Sequence, residues 1–360
     1  MRLLILSRYD ALGASSRLRM LQYVPALCAS GFDVDVQPLL DDRYVRGLYA
    51  GRIPIAHVVR LYFRRLRCLL SPTRYDIVWV EKELFPWMPA WLEKRLVPKG
   101  AILVVDYDDA VFHRYDMHGS SIVRSLLGGK IAAVMRRADM VTAGNDYLAD
   151  YARHAGCRRV EWLPTVIDME RYPERPAPAT ETGHEQITIG WIGSPATGDY
   201  LRTVDAALRE LRSRHAFRCV AIGARADQIT DLLFEQEPWS EATEAAQLRQ
   251  FDIGIMPLPD APWERGKCGY KLIQYMACGL PVVASPVGAN RRIVVDGDNG
   301  FLASNDRQWV DLLDRLISDP GLRERMGMRG RCMVEESYCM QVQAPRLASM
   351  LHDIVGGGSH

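Results

Sequence analysis

The sequence predicts an α/β protein of two domains, each a parallel sheet covered by helices. Short apolar runs alternate with longer segments of helical periodicity, a pattern typical of parallel sheets. The length of 360 residues fits about two domains. A proline-rich stretch at residues 170–186 separates two series of alternations and has the composition of a linker. We therefore place an N-terminal domain at 1–172 and a C-terminal domain at 173–340.

The first series opens with an apolar strand and a turn, followed by a helix with apolar residues at helical spacing. Gly31 ends this helix, where a left-handed residue is favoured. The predicted strands of this domain are residues 3–6, 32–36, 77–80, 102–105, 140–142 and 160–163.

The second series repeats the alternation after the linker. Its predicted strands are residues 187–192, 218–222, 253–256 and 281–284, and its clearest helices are 199–214, 268–278, 306–318 and 321–336. Two α/β halves joined by a linker leave a cleft between them, and such sheets bind ligands beyond the carboxyl ends of their strands.

Composition excludes several classes of protein. With 45 basic and 44 acidic residues the net charge is +1, so we expect no nucleic-acid partner. The eight cysteines form no CxxC pair and have no metal-finger spacing, which favours reduced thiols and a cytoplasmic location. Apolar stretches of 18 residues, the length of a membrane-spanning helix, do not occur.

The most informative stretch is 263–290, WERGKCGYKLIQYMACGLPVVASPVGAN. Its residues Lys267, Lys271 and Gln274 are spaced i, i+4, i+7 and would share one helix face. Two ammonium groups beside the amides of a helix start would suit a diphosphate. The alternative is an ordinary solvated face.

The motif YMACGLPVVAS, with PVGAN and DGDNGFLA after it, resembles the donor half of the family 4 retaining glycosyltransferases. Looser similarity covers nearly the whole chain, including DIVWV, ADMVTAGN, LPTVID, ITIGWIGS and FDIGIMPL. The resemblance implies the GT-B fold, in which two Rossmann-like domains face each other across a cleft. It also implies a last helix, 341–355, that packs back on the first domain.

The activity that this resemblance implies is a retaining glycosyl transfer, of class EC 2.4. The donor would be a nucleotide-diphosphate sugar, no metal or other cofactor would be needed, and the acceptor would be a glycan or a lipid-linked molecule, as in the synthesis of surface polysaccharides or glycoconjugates. Donor-binding candidates are Gly13, Gly193, Ser194, Arg265, Lys267, Lys271 and Gln274. Acceptor-binding candidates are Ser15, Ser16, Arg17 and His113, although either serine can instead cap the first helix.

The chain departs from the family pattern in the donor helix and in the loop before it. Gly266 and Gln274 match the positions of two family glutamates, and Glu264 is a possible substitute for the first. The loop after residue 192 has no basic residue before Arg202. These departures keep a second hypothesis open, a catalytically silent GT-B protein that binds a nucleotide or glycan and partners an active enzyme.

Three aspartates follow the strand at 102–105. Asp106, Asp108 and Asp109 are the candidate catalytic residues, because strand ends at the cleft are where α/β sites lie. Asp108 could bind sugar hydroxyls or take the acceptor proton. The alternative is a turn and helix cap, which aspartate also suits.

An arginine-rich segment, 43–74, contains eight arginines and no acidic residue. Its predicted helix carries a stripe of apolar residues (Ile55, Val59, Tyr62, Leu66, Leu69) and a stripe of arginines (Arg60, Arg64, Arg67). The apolar stripe could face the protein core, or the segment could contact anionic lipid at the inner face of a membrane.

Overall fold

The computed structural model describes residues 1–52, 55–173 and 186–357. The chain divides into two compact units. The first contains residues 1–165, 266–268 and those from 343 onward, and the second contains 166–265 and 269–342. This boundary precedes the predicted one at 172–173. Most of the predicted linker, 174–185, lies outside the described residues.

The first unit is built on a six-stranded parallel sheet in the order β2-β1-β3-β4-β5-β6. Its strands are β1 (Arg2–Leu6), β2 (Asp33–Val36), β3 (Ile77–Glu81), β4 (Ile102–Tyr107), β5 (Met140–Ala143) and β6 (Val160–Trp162). All six predicted strands are present, within two residues at each end. The chain leaves β1 for β2 on one side, while β3 pairs on the other, so the order reverses between β1 and β3.

Helices cover both faces of this sheet. They are α1 (Ala14–Arg19), α2 (Val24–Ala29), α3 (Asp42–Tyr49), α4 (Ile55–Leu69), α5 (Ala90–Leu96), α6 (His113–Asp116), α7 (Ser121–Leu127), α8 (Lys130–Arg137) and α9 (Asp146–His154). The predicted first helix is broken by a 3₁₀ turn, Leu21–Tyr23, which separates α1 from α2. Gly31 has φ +88°, the left-handed conformation expected after the helix.

Helix α4 buries only part of the apolar stripe that could have faced the core. Leu61, Arg65 and Leu69 are buried, while Ile55 and Val59, both in the predicted apolar stripe, are 78% and 49% exposed. The Arg65 guanidinium donates to the backbone oxygens of Ser7 (2.6 Å) and Gln37 (2.7 Å). The contacts of buried Arg65 therefore fix the rotation of α4 about its axis. The pattern of charges in the sequence did not indicate that this arginine is buried.

The second unit is also a six-stranded parallel sheet, in the order β12-β11-β10-β7-β8-β9. Its strands are β7 (Ile187–Ile192), β8 (Phe217–Ile222), β9 (Phe234–Glu237), β10 (Ile253–Met256), β11 (Val282–Ala284) and β12 (Gly300–Leu302). The edge strands β9 and β12 were not predicted. The order reverses between β7 and β10.

The helices of the second unit are α10 (Asp205–Arg212), α11 (Ala226–Ile229), α12 (Glu244–Leu248), α13 (Pro262–Arg265), α14 (Tyr270–Ala277), α15 (Asn290–Ile293), α16 (Asp306–Ser318) and α17 (Pro320–Ser337). The predicted helix 199–214 is a 3₁₀ segment, Pro195–Thr203, followed by α10. A core cluster that includes Trp191, Phe217 and Leu313 fills one face of the sheet. No helix in the described ranges is both long and apolar enough to cross a membrane.

The last helix, α18 (Met340–Gly356), continues from the second unit into the first. In the first unit its Arg346 donates to the backbone oxygen of Trp162 (2.7 Å). The His352 ring lies 4.6 Å from the Phe32 ring, centroid to centroid. Residues 343 onward therefore pack with the N-terminal sheet.

Candidate active site

The reversal point of the first sheet brings together the carboxyl ends of β1, β3 and β4. Parallel sheets bind ligands at such points. The loop after β1 leads into α1, so Ser15 and Ser16 lie beside Glu81 at the end of β3. Asp106 lies in β4, and Asp108 and Asp109 follow it. This polar cluster is the candidate site of the first unit.

Asp106 is fully buried and forms an ion pair inside the unit. Arg19, also fully buried, donates to its two oxygens at 2.5 and 2.9 Å, and Thr142 donates at 2.6 Å. Such pairing is what keeps a buried charge tolerable. Asp106 therefore anchors α1 to the sheet, which corrects the expectation that it contacts substrate.

Asp108 lies near the surface of the same strand end, with its side chain 12% exposed. Lys82 Nζ is 2.8 Å from one oxygen and Ser15 Oγ is 2.6 Å from the other. Burial alone would raise the pKa of Asp108, but the Lys82 and Arg19 charges and these contacts outweigh it and lower the pKa to about 2. Asp108 is therefore ionised at neutral pH and is a weak proton acceptor.

Lys82 is a site residue that the sequence interpretation missed. It follows β3 in the charged triplet EKE, and its backbone is left-handed, with φ +66°. Its ammonium also donates to Ser15 Oγ at 3.0 Å and lies 3.7 Å from Glu81. A charged triplet directly after a buried strand was the available signal.

The two serines of the first loop contact Glu81 and do not cap a helix. Ser16 Oγ donates to Glu81 at 2.5 Å, and Ser15 Oγ lies 2.8 Å from its other oxygen. The N-cap of α1 is Gly13, with no side-chain cap. Ser16 is fully buried, so only Ser15 is placed to meet an acceptor.

Three other residues that were predicted to bind donor or acceptor make contacts within the first unit. A Cβ at Gly13 would lie 2.2 Å from that of Tyr9, so this glycine is required by close packing. Arg17 donates to the Ala11 backbone oxygen at 3.0 Å. Both ring nitrogens of His113 have partners, Asp116 at 2.9 Å and Tyr147 at 2.8 Å. Contact of any of them with a ligand stays a prediction.

Asp109 pairs with Lys267, whose Nζ lies 3.4 Å from the carboxylate. Burial and the Asp108 charge raise the pKa of Asp109, against the opposing effect of Lys267. The next helix, α6, has Phe112 at its N-cap with no side-chain cap, so Asp109 does not have the expected capping role. Lys267 belongs to the short stretch that groups with the first unit.

Gly266 is in contact with the backbone of Ala110. A Cβ at Gly266 would lie 2.5 Å from both the nitrogen and the Cβ of Ala110. No side chain fits there without movement of the backbone. The sequence has glycine at position 266, and the packing against Ala110 leaves no room for a glutamate side chain there.

The second unit has a candidate site of its own, at the reversal point of its sheet. Lys271, in the first turn of α14, is 3.3 Å from Thr197 Oγ1, and its Nζ lies 5.3 Å from the centroid of the Trp191 ring. A Cβ at Gly193 would lie 2.5 Å from the Trp191 ring and 2.7 Å from the Lys271 Cε. The loop therefore needs glycine for close approach to this lysine.

The start of α14 completes this group. Gly269 is the N-cap residue with φ +68°, and Ser194, at the end of β7, is exposed. Helix-start amides and one ammonium can stabilise an anion together. By contrast, Arg265 is exposed and donates to Asp260 at 2.6 Å.

Gln274 and Glu264 are both buried polar residues. Gln274 Nε2 lies 3.5 Å from the Tyr172 hydroxyl, which donates to Glu244 at 2.5 Å. Glu264 accepts from the Tyr200 hydroxyl, also at 2.5 Å. Tyr172 and Glu244 were not predicted, because nothing in the sequence links them to residue 274.

Metal binding requires several ligands to converge. Within the described ranges, no three Asp, Glu, His or Cys side chains come together in such an arrangement. The eight cysteines all carry free thiols.

Comparison with known proteins agrees with this fold. Residues 186–319 match the family described as glycosyl transferases group 1. A D-inositol 3-phosphate glycosyltransferase of Arthrobacter sp. (strain FB24) is 31% identical over 99 residues, 27% of this chain and 22% of the relative. TuaH of Bacillus subtilis (strain 168), assigned to teichuronic acid biosynthesis as a glycosyltransferase, is 24% identical over 211 residues, 52% of this chain and 53% of TuaH. The matches thus span less than two thirds of either relative.

A solved structure is similar along nearly the whole chain. HepE of Anabaena, in complex with UDP-glucose, aligns with a TM-score of 0.71 and 15% identity, covering 98% of this chain and 100% of HepE. At this identity the likeness establishes the fold. The predicted GT-B class, with two parallel six-stranded sheets, is confirmed.

Proposed function

We propose that this chain is a glycosyltransferase, as the match of residues 186–319 to the group 1 glycosyltransferases supports, and that it transfers a sugar from a nucleotide-diphosphate donor to a hydroxyl of a glycan or lipid-linked acceptor. Transfer with retention, in the synthesis of a surface polysaccharide or glycoconjugate, is part of the proposal. TuaH supports the polysaccharide class, and the HepE complex supports a nucleotide-sugar donor. No metal or other cofactor is invoked.

The observation that carries the proposal is the group formed by Gly193, Lys271 and the start of α14. It lies inside the matched family region, at the carboxyl end of β7. Lys271 would neutralise charge that grows on the diphosphate as the sugar leaves, and the helix amides would add to this effect. Gln274 would meet the nucleotide ribose, since an amide both donates and accepts hydrogen bonds.

The first unit would bind the acceptor at Asp108 and Ser15. Because its pKa is about 2, Asp108 suits the orientation of hydroxyl groups better than proton abstraction. In front-face retention, the departing phosphate can itself accept the acceptor proton. Asp108 would then fix the acceptor through charge-assisted hydrogen bonds.

The location of the protein follows from the acceptor in this proposal. A lipid-linked acceptor resides at a membrane, and we place the chain in the cytoplasm, in peripheral contact with that membrane through residues 43–74. The seven arginines of this segment other than Arg65 are exposed, which supports such a contact.

The packing of Gly266 against Ala110 favours the second candidate, a silent binding protein. It removes a carboxylate that the family resemblance expects near the donor. The silent candidate predicts binding of nucleotide or glycan without turnover.

The test is a thermal-shift panel of nucleoside diphosphates and nucleotide sugars, followed by assay of released nucleotide. A ligand at 100 times its Kd should stabilise the fold by about 2.7 kcal/mol. We expect one base to stand out and the matching sugar nucleotide to be turned over in the presence of a glycan or lipid acceptor. Binding without release would favour the silent candidate, and no shift with any nucleotide would contradict a donor site.

A further inference from the structure

An apolar groove lies on the first unit between α4 and α5. Its volume is about 410 Å³, and every lining residue is apolar or aromatic. The lining includes Val59, Phe63 and Leu66 of α4 and Leu92 and Leu96 of α5. The groove therefore joins the arginine-rich segment to a part of the chain that is remote in sequence.

Large apolar side chains around this groove are exposed. Phe63 is 61% exposed and Trp91, on α5, is 60% exposed. Ile55 and Leu70, at the two ends of α4, are 78% and 67% exposed. Of the residues that line the groove, Val59, Phe63 and Met88 are 49%, 61% and 36% exposed, so the groove itself presents an apolar surface of the kind that marks an interaction site.

The exposed charges on α4 and α5 are all basic. Arg60, Arg64 and Arg67 recur at i, i+4 and i+7, next to the apolar row of Val59 and Phe63. Residues 43–74 contain no carboxylate. In residues 84–100 the one acidic residue is Glu93, which is buried and lies 2.9 Å from Lys130.

The packing of α4 makes this exposure a fixed property of the helix. Arg65, on the opposite face, is 2% exposed and holds the helix through its two backbone contacts. Leu61 and Leu69 are buried on the same side. Rotation that would bury Val59 and Phe63 would pull Arg65 out of those contacts.

We propose that α4, α5 and the groove between them form one docking surface for an anionic lipid bilayer. Phe63, Trp91 and Ile55 enter the boundary between headgroups and acyl chains, and the arginines meet lipid phosphates. The surface is composite, since it includes α5 as well as the segment 43–74. The proposal deepens the peripheral membrane contact of the proposed function and rests on it. Vesicle binding needs neither donor nor acceptor, so its failure is distinguishable from a failure of sugar transfer.

The test is cosedimentation of the full chain with large unilamellar vesicles. Vesicles of phosphatidylcholine and phosphatidylglycerol at a ratio of 70:30 are compared with pure phosphatidylcholine, at low salt and at high salt. We expect at least tenfold tighter binding to the anionic vesicles at low salt and a smaller difference at high salt. Equal binding to both vesicles, or none, would overturn the proposal.

Two double variants separate the contribution of the arginines to vesicle binding from that of the apolar side chains. Arg60→Gln with Arg67→Gln should weaken anionic binding by about fivefold for each arginine. Phe63→Ser with Trp91→Ser should weaken it by at least tenfold, since it removes two apolar anchors. The matched control is Arg307→Gln with Arg325→Gln, two exposed arginines of the second unit, which should stay within twofold of wild type.

Circular dichroism and the melting temperature would establish that each variant is folded. Light scattering tests the competing occupant, a second copy of this chain. A dimer that dissociates in the Phe63 and Trp91 variant, together with unchanged vesicle binding, would overturn the proposal. Equal weakening in the control variant would do the same, because it would show a nonspecific charge effect.

Discussion

Lys82 Nζ lies 2.8 Å from Asp108 Oδ1, at the point where the order of the N-terminal sheet reverses. The lysine side chain is 6% exposed and the aspartate 12%, so the pair is poorly screened by solvent. The pairing keeps Asp108 ionised although most of its side chain is buried. The polar cluster of the first unit therefore contains an ammonium and a carboxylate that are both charged.

Asp108→Asn should lower turnover by roughly 10- to 1,000-fold, about 1.4–4 kcal/mol in the activation free energy. The amide keeps the size of the side chain but loses the charge that would orient an acceptor hydroxyl. Donor affinity should stay within a few-fold, since the nucleotide is expected on the second unit. Steady-state kinetics with the donor found by the panel would measure both, and full activity would show that this strand end is only a turn.

Asp108 should also contribute to the pH dependence of folding. Its pKa is about 2 in the folded protein, against about 3.8 when unperturbed. A lowered carboxyl pKa stabilises the fold above the unfolded value, and that stability is lost as the pH falls from about 4 toward 2. The contribution is on the order of 2 kcal/mol.

Urea unfolding of wild type and Asp108→Asn at several pH values between 6 and 2.5 would measure this contribution. The difference in unfolding free energy between the two proteins should shrink as the pH falls. Asp150→Asn, at an exposed position, serves as the control and should follow wild type throughout. A constant difference for Asp108→Asn would contradict the depressed pKa.

Lys271→Ala should weaken nucleotide diphosphate binding more than Lys267→Ala does. Lys271 lies beside Gly193 and Thr197 at the start of α14, whereas Lys267 is paired with Asp109 in the first unit. Loss of a charge-assisted bond to phosphate costs roughly 1.5–3 kcal/mol, or about 10- to 150-fold in affinity. Calorimetric titration would measure it, and the opposite ranking of the two variants would move the diphosphate toward Lys267.

Much of the fold follows from hydrophobic pattern, because fully buried parallel strands are continuous apolar runs. This pattern identified β1, β7 and β10. It missed β9, whose sequence FEQE has two exposed polar residues, and β12, whose sequence GFL begins with glycine and has only two apolar side chains.

The site was less predictable than the fold. The DYDD motif pointed to a strand end where polar side chains cluster, but the motif does not show that Asp106 is fully buried with Arg19 while Asp108 is 12% exposed. Lys82 was missed because charged residues after a strand usually belong to solvated loops. Contacts between residues 60 or more positions apart, such as Ser15 with Glu81, depend on the folded chain.

Gly266→Ala should destabilise the protein, and Gly266→Glu should not restore the carboxylate that the family resemblance expects. The added Cβ would meet the backbone of Ala110 at 2.5 Å, and backbone cannot yield as a flexible side chain can. Overpacking of this kind costs roughly 1–3 kcal/mol, so the melting temperature of Gly266→Ala should fall by several degrees. Gly279→Ala is the comparison. A Cβ at position 279 would meet no atom within 4 Å, but the φ of +71° would strain the backbone of an alanine. The loss of stability in this variant therefore measures backbone strain without a clash. If Gly266→Glu folded like wild type and gained turnover, the contact with Ala110 would be adjustable and the missing glutamate would be a catalytic loss.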